Sequence, residues 1–206
     1  LMDEPFSALD APTRQEILDE LRSLLAETQQ TCIYVTHDLD EALTLADRVA
    51  VFFNGQLHQV DTPTHVFTKP ATQQLASFVG VETIISGEVV GQKGELVQVK
   101  ADGITIEAVD EMPVGTGVFA CLRPEDITIY RHDSLPASSS ARNRFTGRIT
   151  RLVSQGPLMR VHFDAGFPVS ALITRSSAEE MELQPGMEVV AVFKSSSLHL
   201  IRRQKR

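Results

Sequence analysis

The 206-residue sequence predicts an α/β segment followed by an all-β region of two small barrel-like lobes. Three observations carry that prediction. Up to about residue 80, apolar residues at helical spacing alternate with short apolar runs suited to buried strands. From Val81 onward the pattern changes to short β-rich runs punctuated by glycine. That second region also repeats itself: Gly87-Glu88-Val89-Val90 parallels Gly147-Arg148-Ile149-Thr150, Leu96–Lys100 parallels Leu158–His162, and Gly115–Arg123 parallels Gly186–Lys194.

Leu1 and Met2, followed by Asp3 and Glu4, read as the end of a buried strand that delivers adjacent carboxylates to a sheet edge; Pro5 then stops the strand. Asp10 is placed to cap a helix with Pro12 in its first turn, running to about Thr28. Ile17, Leu18, Leu21, Leu24 and Leu25 form its apolar face, expected to lie on the sheet. Thr31–Thr36 reads as a buried parallel strand carrying His37 to its carboxyl end. Asp38, Asp40 and Glu41 then open a helix that ends near Asp47, acids in its first turn as the helix dipole favours. Asn54-Gly55 between residues 48–53 and 56–60 predicts a hairpin with a type I′ turn, taken to close the sheet. Short helices are expected around Thr62–Thr68 and Ala71–Phe78, separated by Pro70.

In the β-rich region each repeat supplies about five strands, enough for an OB-like lobe. The boundaries expected are 1–80 for the α/β part, 81–133 for the first lobe, 134–140 for a Ser/Ala/Pro linker that lets the lobes rotate or swap partners, and 141–206 for the second lobe. Ser176–Leu183 is an insertion in the second copy that reads as a turn or two of helix.

Asp3-Glu4, Ser7-Ala8-Leu9-Asp10 and Thr36-His37-Asp38, in that order, resemble the Walker B, D-loop and switch-histidine segments of ABC transporter ATPases. The resemblance implies that the α/β segment is the C-terminal part of a P-loop ATPase domain. It also implies that Asp3 holds Mg²⁺ through water, Glu4 activates the attacking water, His37 contacts the γ-phosphate of MgATP, and Asp10 communicates across a homodimer. No Gly-x-x-x-x-Gly-Lys-Ser/Thr loop and no Leu-Ser-Gly-Gly-Gln signature occurs, so the chain is expected to be a C-terminal fragment, inactive as an ATPase by itself.

Ser140-Ala141-Arg142-Asn143, Ile173-Thr174-Arg175-Ser176-Ser177 and Phe193-Lys194-Ser195 resemble the elements of Mop domains, which bind molybdate or tungstate. Leu122-Arg123-Pro124-Glu125-Asp126 is similar to the TOBE lobes found also in sugar and polyamine importers. Together these imply the ATP-binding subunit of a molybdate/tungstate ABC importer, peripheral on the cytoplasmic face of the membrane. Transmembrane permease subunits would be its partners, and a periplasmic or extracellular oxyanion-binding protein an indirect one. Arg142 and Lys194 would supply charge to a tetrahedral dianion, and Ser140, Thr174, Ser177 and Ser195 hydroxyls, since charge-assisted hydrogen bonds exceed neutral ones. In that family such sites lie where lobes of two subunits meet. The alternative is a sugar, polyamine or sulfate importer whose lobes serve as a dimerisation scaffold, the hydroxyls merely capping turns.

Composition limits the remaining choices. The chain is 42% hydrophobic and 22% charged, ordinary for a globular protein, with no apolar run of membrane-spanning length. Its net charge of -8 divides into -8 for residues 1–80, -6 for 81–140 and +6 for 141–206. The cationic end does not argue for nucleic acid, because residues 141–206 offer four Phe and no Tyr or Trp for stacking on bases. Cys32 and Cys121, expected within apolar strands, lack metal-ligand spacing and read as buried reduced thiols.

Overall fold

A computed structural model describes residues 1–101, 103–135 and 138–203. It divides into two compact units, 1–71 and 72–206, so the boundary falls before the second short helix and not at the expected 80/81. The reason is packing: Ala76 of that helix is buried with Val81, Cys121 and Ile201.

In the first unit β1 (Met2–Asp3) pairs in parallel with β2 (Tyr34–Val35), while α1 (Ala11–Thr28) packs against α2 (Leu39–Leu45). Asp10 caps α1, its carboxylate accepting from the Thr13 N–H at 3.1 Å. The expected buried strand 31–36 is corrected to two residues, because β1 offers only two partners. Ile33 and Val35 are 64% and 45% exposed, and Cys32 lies outside any strand. The apolar face of α1 is likewise only partly covered: Leu18 is buried and Leu24 exposed. Hairpin strands β3 (Val49–Phe53) and β4 (Gln56–Asp61) turn through Asn54 and Gly55 with φ of 51° and 73°, the positive values a type I′ turn requires. They form a ladder of their own and do not extend the β1–β2 pair. Next comes α3 (Pro63–Thr68), capped by the Thr62 hydroxyl.

The second unit begins with α4 (Gln73–Phe78) and continues through β5 (Thr83–Lys93), β6 (Leu96–Ala101), β7 (Ile104–Val109), β8 (Gly117–Leu122) and β9 (Thr128–Arg131). The second copy supplies β10 (Asn143–Gln155), β11 (Leu158–Asp164), β12 (Pro168–Thr174), α5 (Arg175–Glu180), β13 (Glu188–Phe193) and β14 (His199–Arg202). Two five-stranded sheets result, ordered β14-β8-β5-β6-β7 and β12-β11-β10-β13-β9. Each takes its edge strand from the other copy: β9 pairs with β13, and β14 with β8. This exchange corrects the expectation of lobes free to rotate about the linker, since separating the sheets means breaking two antiparallel ladders. Pro136 and Ala137 of that linker, and the last three residues of the second lobe, lie outside the described residues.

Side chains from both copies form one buried cluster, from Ile85 and Val99 through Phe145, Phe163 and Phe193 to Leu200. Gly87 and Gly147 hold equivalent places within it. A Cβ at Gly87 would come within 2.8 Å of the Lys100 carbonyl oxygen, and one at Gly147 within 2.6 Å of that of Asp164, so each position excludes a side chain.

Candidate functional site

The parallel register Met2↔Tyr34 and Asp3↔Val35 sets the carboxyl ends of β1 and β2 side by side. Just past those ends, Glu4 and His37 meet at 2.8 Å between Oε1 and Nδ1, both open to solvent. Glu4 departs from the strand with φ of 43°, a conformation uncommon for residues other than glycine and concentrated at functional sites. Ser7 steadies the turn by donating its hydroxyl to the Glu4 carbonyl at 3.0 Å. The hydrogen bond that the His37 ring donates to the Glu4 carboxylate, reinforced by the carboxylate's charge, holds the His37 pKa above the ordinary imidazole value.

Arg14 was not singled out in the sequence, yet it joins the two loops that carry these groups. Its guanidinium donates to the Leu9 carbonyl at 2.9 Å and to Asp38 Oδ2 at 3.2 Å. Asp38 meanwhile caps α2, accepting from the N–H groups of Asp40 and Glu41. Glu41 is buried and accepts from the Tyr34 hydroxyl at 2.9 Å and the Thr36 hydroxyl at 2.5 Å. Burial, followed by that carboxylate, pushes the Tyr34 pKa upward. Asp3 is exposed beside Glu4. Among the described residues no cluster of three or more His, Cys, Asp or Glu side chains forms a metal site. A Mg²⁺ ion here would take Asp3 plus water and phosphate oxygens, which suits that ion's preference for a few carboxylates and many retained waters.

In the second unit the expected oxyanion residues fall into two groups. Asn143 is opposite Phe193 in the β10–β13 ladder, so Arg142 and Lys194 follow at one end of it. Lys194 is exposed and opens the 3₁₀ turn Ser195–Ser197, which packs on β7. Ser195 is buried, and among the described residues its Oγ has no hydrogen-bond partner. Arg142 is ion-paired to Glu107 of β7, a residue sequence reasoning missed because an acid alternating with apolar neighbours reads as a solvated strand face. That guanidinium holds the Glu107 carboxyl below the usual range. Asn143 completes the junction: its side chain accepts from the Glu107 N–H at 2.7 Å and donates to the Glu107 carbonyl at 2.8 Å. Ser140 lies exposed just upstream.

Thr174 and Ser177 belong elsewhere. Thr174 is opposite Leu158, which is opposite Gln155, at the far end of the 13-residue strand that starts at Asn143. Thr174 Oγ1 caps α5, accepting the Ser177 N–H at 3.1 Å, and shares a 2.8 Å hydrogen bond with the Ser177 hydroxyl. The six residues therefore fall at opposite ends of β10.

Comparison with known proteins gives three kinds of likeness. A family model for the TOBE domain matches residues 139–200. A molybdate/tungstate import ATP-binding protein of Pyrococcus horikoshii is 38% identical over 201 residues, covering 97% of this chain and 55% of its own length. A spermidine/putrescine import ATP-binding protein of Roseobacter denitrificans is 33% identical over 207 residues, covering 98% of this chain and 55% of its own length. The chain thus spans about half the length of the curated relatives it matches. Among solved structures, the cytoplasmic molybdate-binding protein ModG, crystallised with molybdate, has a TM-score of 0.54 at 20% identity. It covers 60% of this chain and 97% of its own, a likeness of fold.

Proposed function

Because the chain belongs to the family of ATP-binding subunits of ABC importers that carry a TOBE domain, we propose that it works in ATP-driven import of molybdate or tungstate. In this reading Glu4 activates the water that attacks the γ-phosphate, and His37, poised against Glu4, contacts that phosphate. Asp3 faces Mg²⁺, and Asp10 meets the opposing copy. Phosphoryl transfer also needs a cradle for the β- and γ-phosphates, which residues 1–71 do not supply. ATP is therefore expected to leave the thermal midpoint of this 206-residue polypeptide unchanged; a clear rise would show that it binds nucleotide by itself. Permease subunits would hold the protein at the cytoplasmic face of the membrane. No helix among the described residues is long and apolar enough to cross it.

The observation that carries the oxyanion assignment is the junction of Arg142, Lys194 and the buried Ser195 hydroxyl inside the TOBE match. Thr174 and Ser177 of a second copy would complete the site. Calorimetry on the chain with molybdate, tungstate and sulfate tests this. Saturable heat with either metal oxyanion, lost in Arg142→Ala, is expected; no heat with any of the three would refute it. A second reading, import of polyamine with the lobes as scaffold, is favoured by one specific observation: Glu107 already neutralises Arg142. An anion must displace that carboxylate, so Glu107→Gln should raise oxyanion affinity under the first reading and change nothing under the second.

A further inference from the structure

Arg14 is the fourth residue of α1, where a cation meets the positive end of the helix dipole, and α1 has no acid in its first turn to offset it. The side chain is also folded inward. Its Nε is buried 3.8 Å from Glu41 Oε1 and, among the described residues, has no hydrogen-bond partner. A guanidinium kept in so unfavourable a place is kept there by what its two terminal nitrogens hold.

One of them donates to the Leu9 carbonyl at 2.9 Å and the other to Asp38 Oδ2 at 3.2 Å. Leu9 precedes Asp10, and Asp38 follows His37. Neither acceptor is free to move by itself. The Leu9 N–H donates to the Phe6 carbonyl at 3.1 Å, and Asp38 Oδ1 accepts from the Asp40 and Glu41 N–H groups at the start of α2. The Asp10 carboxylate is engaged with the Thr13 N–H and hydroxyl, at 3.1 and 3.0 Å, so the path from Asp10 to Asp38 runs through the Leu9 carbonyl and the Arg14 fork. A planar fork whose donors keep a fixed geometry passes a displacement of one acceptor on to the other, whereas a flexible ammonium would absorb it.

We propose that Arg14 is a positioning residue that couples the Asp10 turn to the His37 loop, so that a movement of one resets the other. What the coupling serves rests on the ATPase reading above: with Asp10 at the opposing copy and His37 at the γ-phosphate, arrival of the second copy is registered at the phosphate contact through one guanidinium. The coupling itself needs no nucleotide. It can therefore fail while that reading stands, and it can hold if that reading fails.

The test is a double-mutant cycle read by backbone amide NMR on the 206-residue chain without ATP. Asp38→Asn keeps a cap on α2, since Asn caps as well as Asp, but takes the charge from the Arg14 acceptor. It is expected to shift the Leu9 and Asp10 amide resonances, and that response should be lost when the same change is made in Arg14→Gln. Coupling is reciprocal, so Asp10→Asn, which likewise keeps the α1 cap, should shift the His37 and Asp38 amides with Arg14 present and not in Arg14→Gln. A guanidinium that only stabilised the fold would leave each response the same size in both backgrounds, and that result would overturn the proposal. So would the absence of any response at Leu9 and Asp10. Should Arg14→Gln fail to fold, Arg14→Lys supplies the background, because one ammonium cannot hold both acceptors in the geometry of the fork.

Discussion

Residues 1–71 and the β unit that follows are held by different kinds of interaction. In the first, Leu18 and Val66 are fully buried while Ile33, Val35, Phe52 and Leu57 remain exposed, and what converges is polar: Arg14, Asp38, Glu41, Tyr34 and Thr36. In the second, one apolar cluster runs through both sheets and edge strands are exchanged between the copies. A polar clasp fixes geometry, because its hydrogen bonds are directional, but its net contribution to stability is modest. Merged apolar packing supplies stability and makes it common to both sheets. The geometry of Glu4 and His37 thus rests on a few side chains, whereas the β unit should tolerate the loss of any one surface contact.

The largest effect that could break this contrast is at Phe163, 1% exposed in the shared cluster. Phe163→Ala is expected to destabilise by about 3–5 kcal/mol in denaturant titration, with both sheets melting in one transition. If the second sheet melted alone, the cluster would not be common to the two. Next is the clasp. Glu41→Leu removes the acceptor of two hydroxyls and a partner of Arg14, and should cost the first unit about 3 kcal/mol while leaving the β-unit midpoint in place, as followed by hydrogen exchange.

Asn143→Ala, which leaves a backbone N–H and carbonyl of Glu107 without their partner, is expected to cost the β unit about 1–3 kcal/mol. Thr174→Ala, the loss of one helix cap, should cost about 1 kcal/mol. The smallest effect is in pH. Because Glu4 raises the His37 pKa, the stability the pair adds is fully present below the unfolded value of about 6.5 and fades as pH rises through the folded one. Glu4→Gln should bring the His37 titration back down towards about 6.5, read by NMR. An unchanged midpoint would mean the contact is absent in solution.

How much of this was legible in the sequence depended on whether the signal was local. The Asp10 cap, the Asn54-Gly55 hairpin and the short helices are written in neighbouring residues, and the structure has them within a residue or two of the expected bounds. The ten strands of the β unit were readable from alternation and repeat. Their exchange was not, because β9 and β14 are copies of one another and pair with β8 or β13 by the same backbone chemistry. Resemblance assigns Glu4 and His37 to phosphate chemistry and Arg142 and Lys194 to the charge of an oxyanion site, but it does not foretell the 2.8 Å contact between the first two. It could not find Glu107 or Arg14, whose partners lie 35 and 24 residues away along the chain.

The crossing of β9 and β14 also bears on how the chain emerges during synthesis. Residues 117–122 have their inner neighbour early but must wait for residues 199–202 before their outer backbone groups are paired. Until then β8 presents an open rim to any other nascent chain, the situation that invites edge-to-edge association. A ribosome stalled shortly before His199 would therefore hold a product more prone to clumping than one stalled before the second copy has begun, although the longer product has more of its fold.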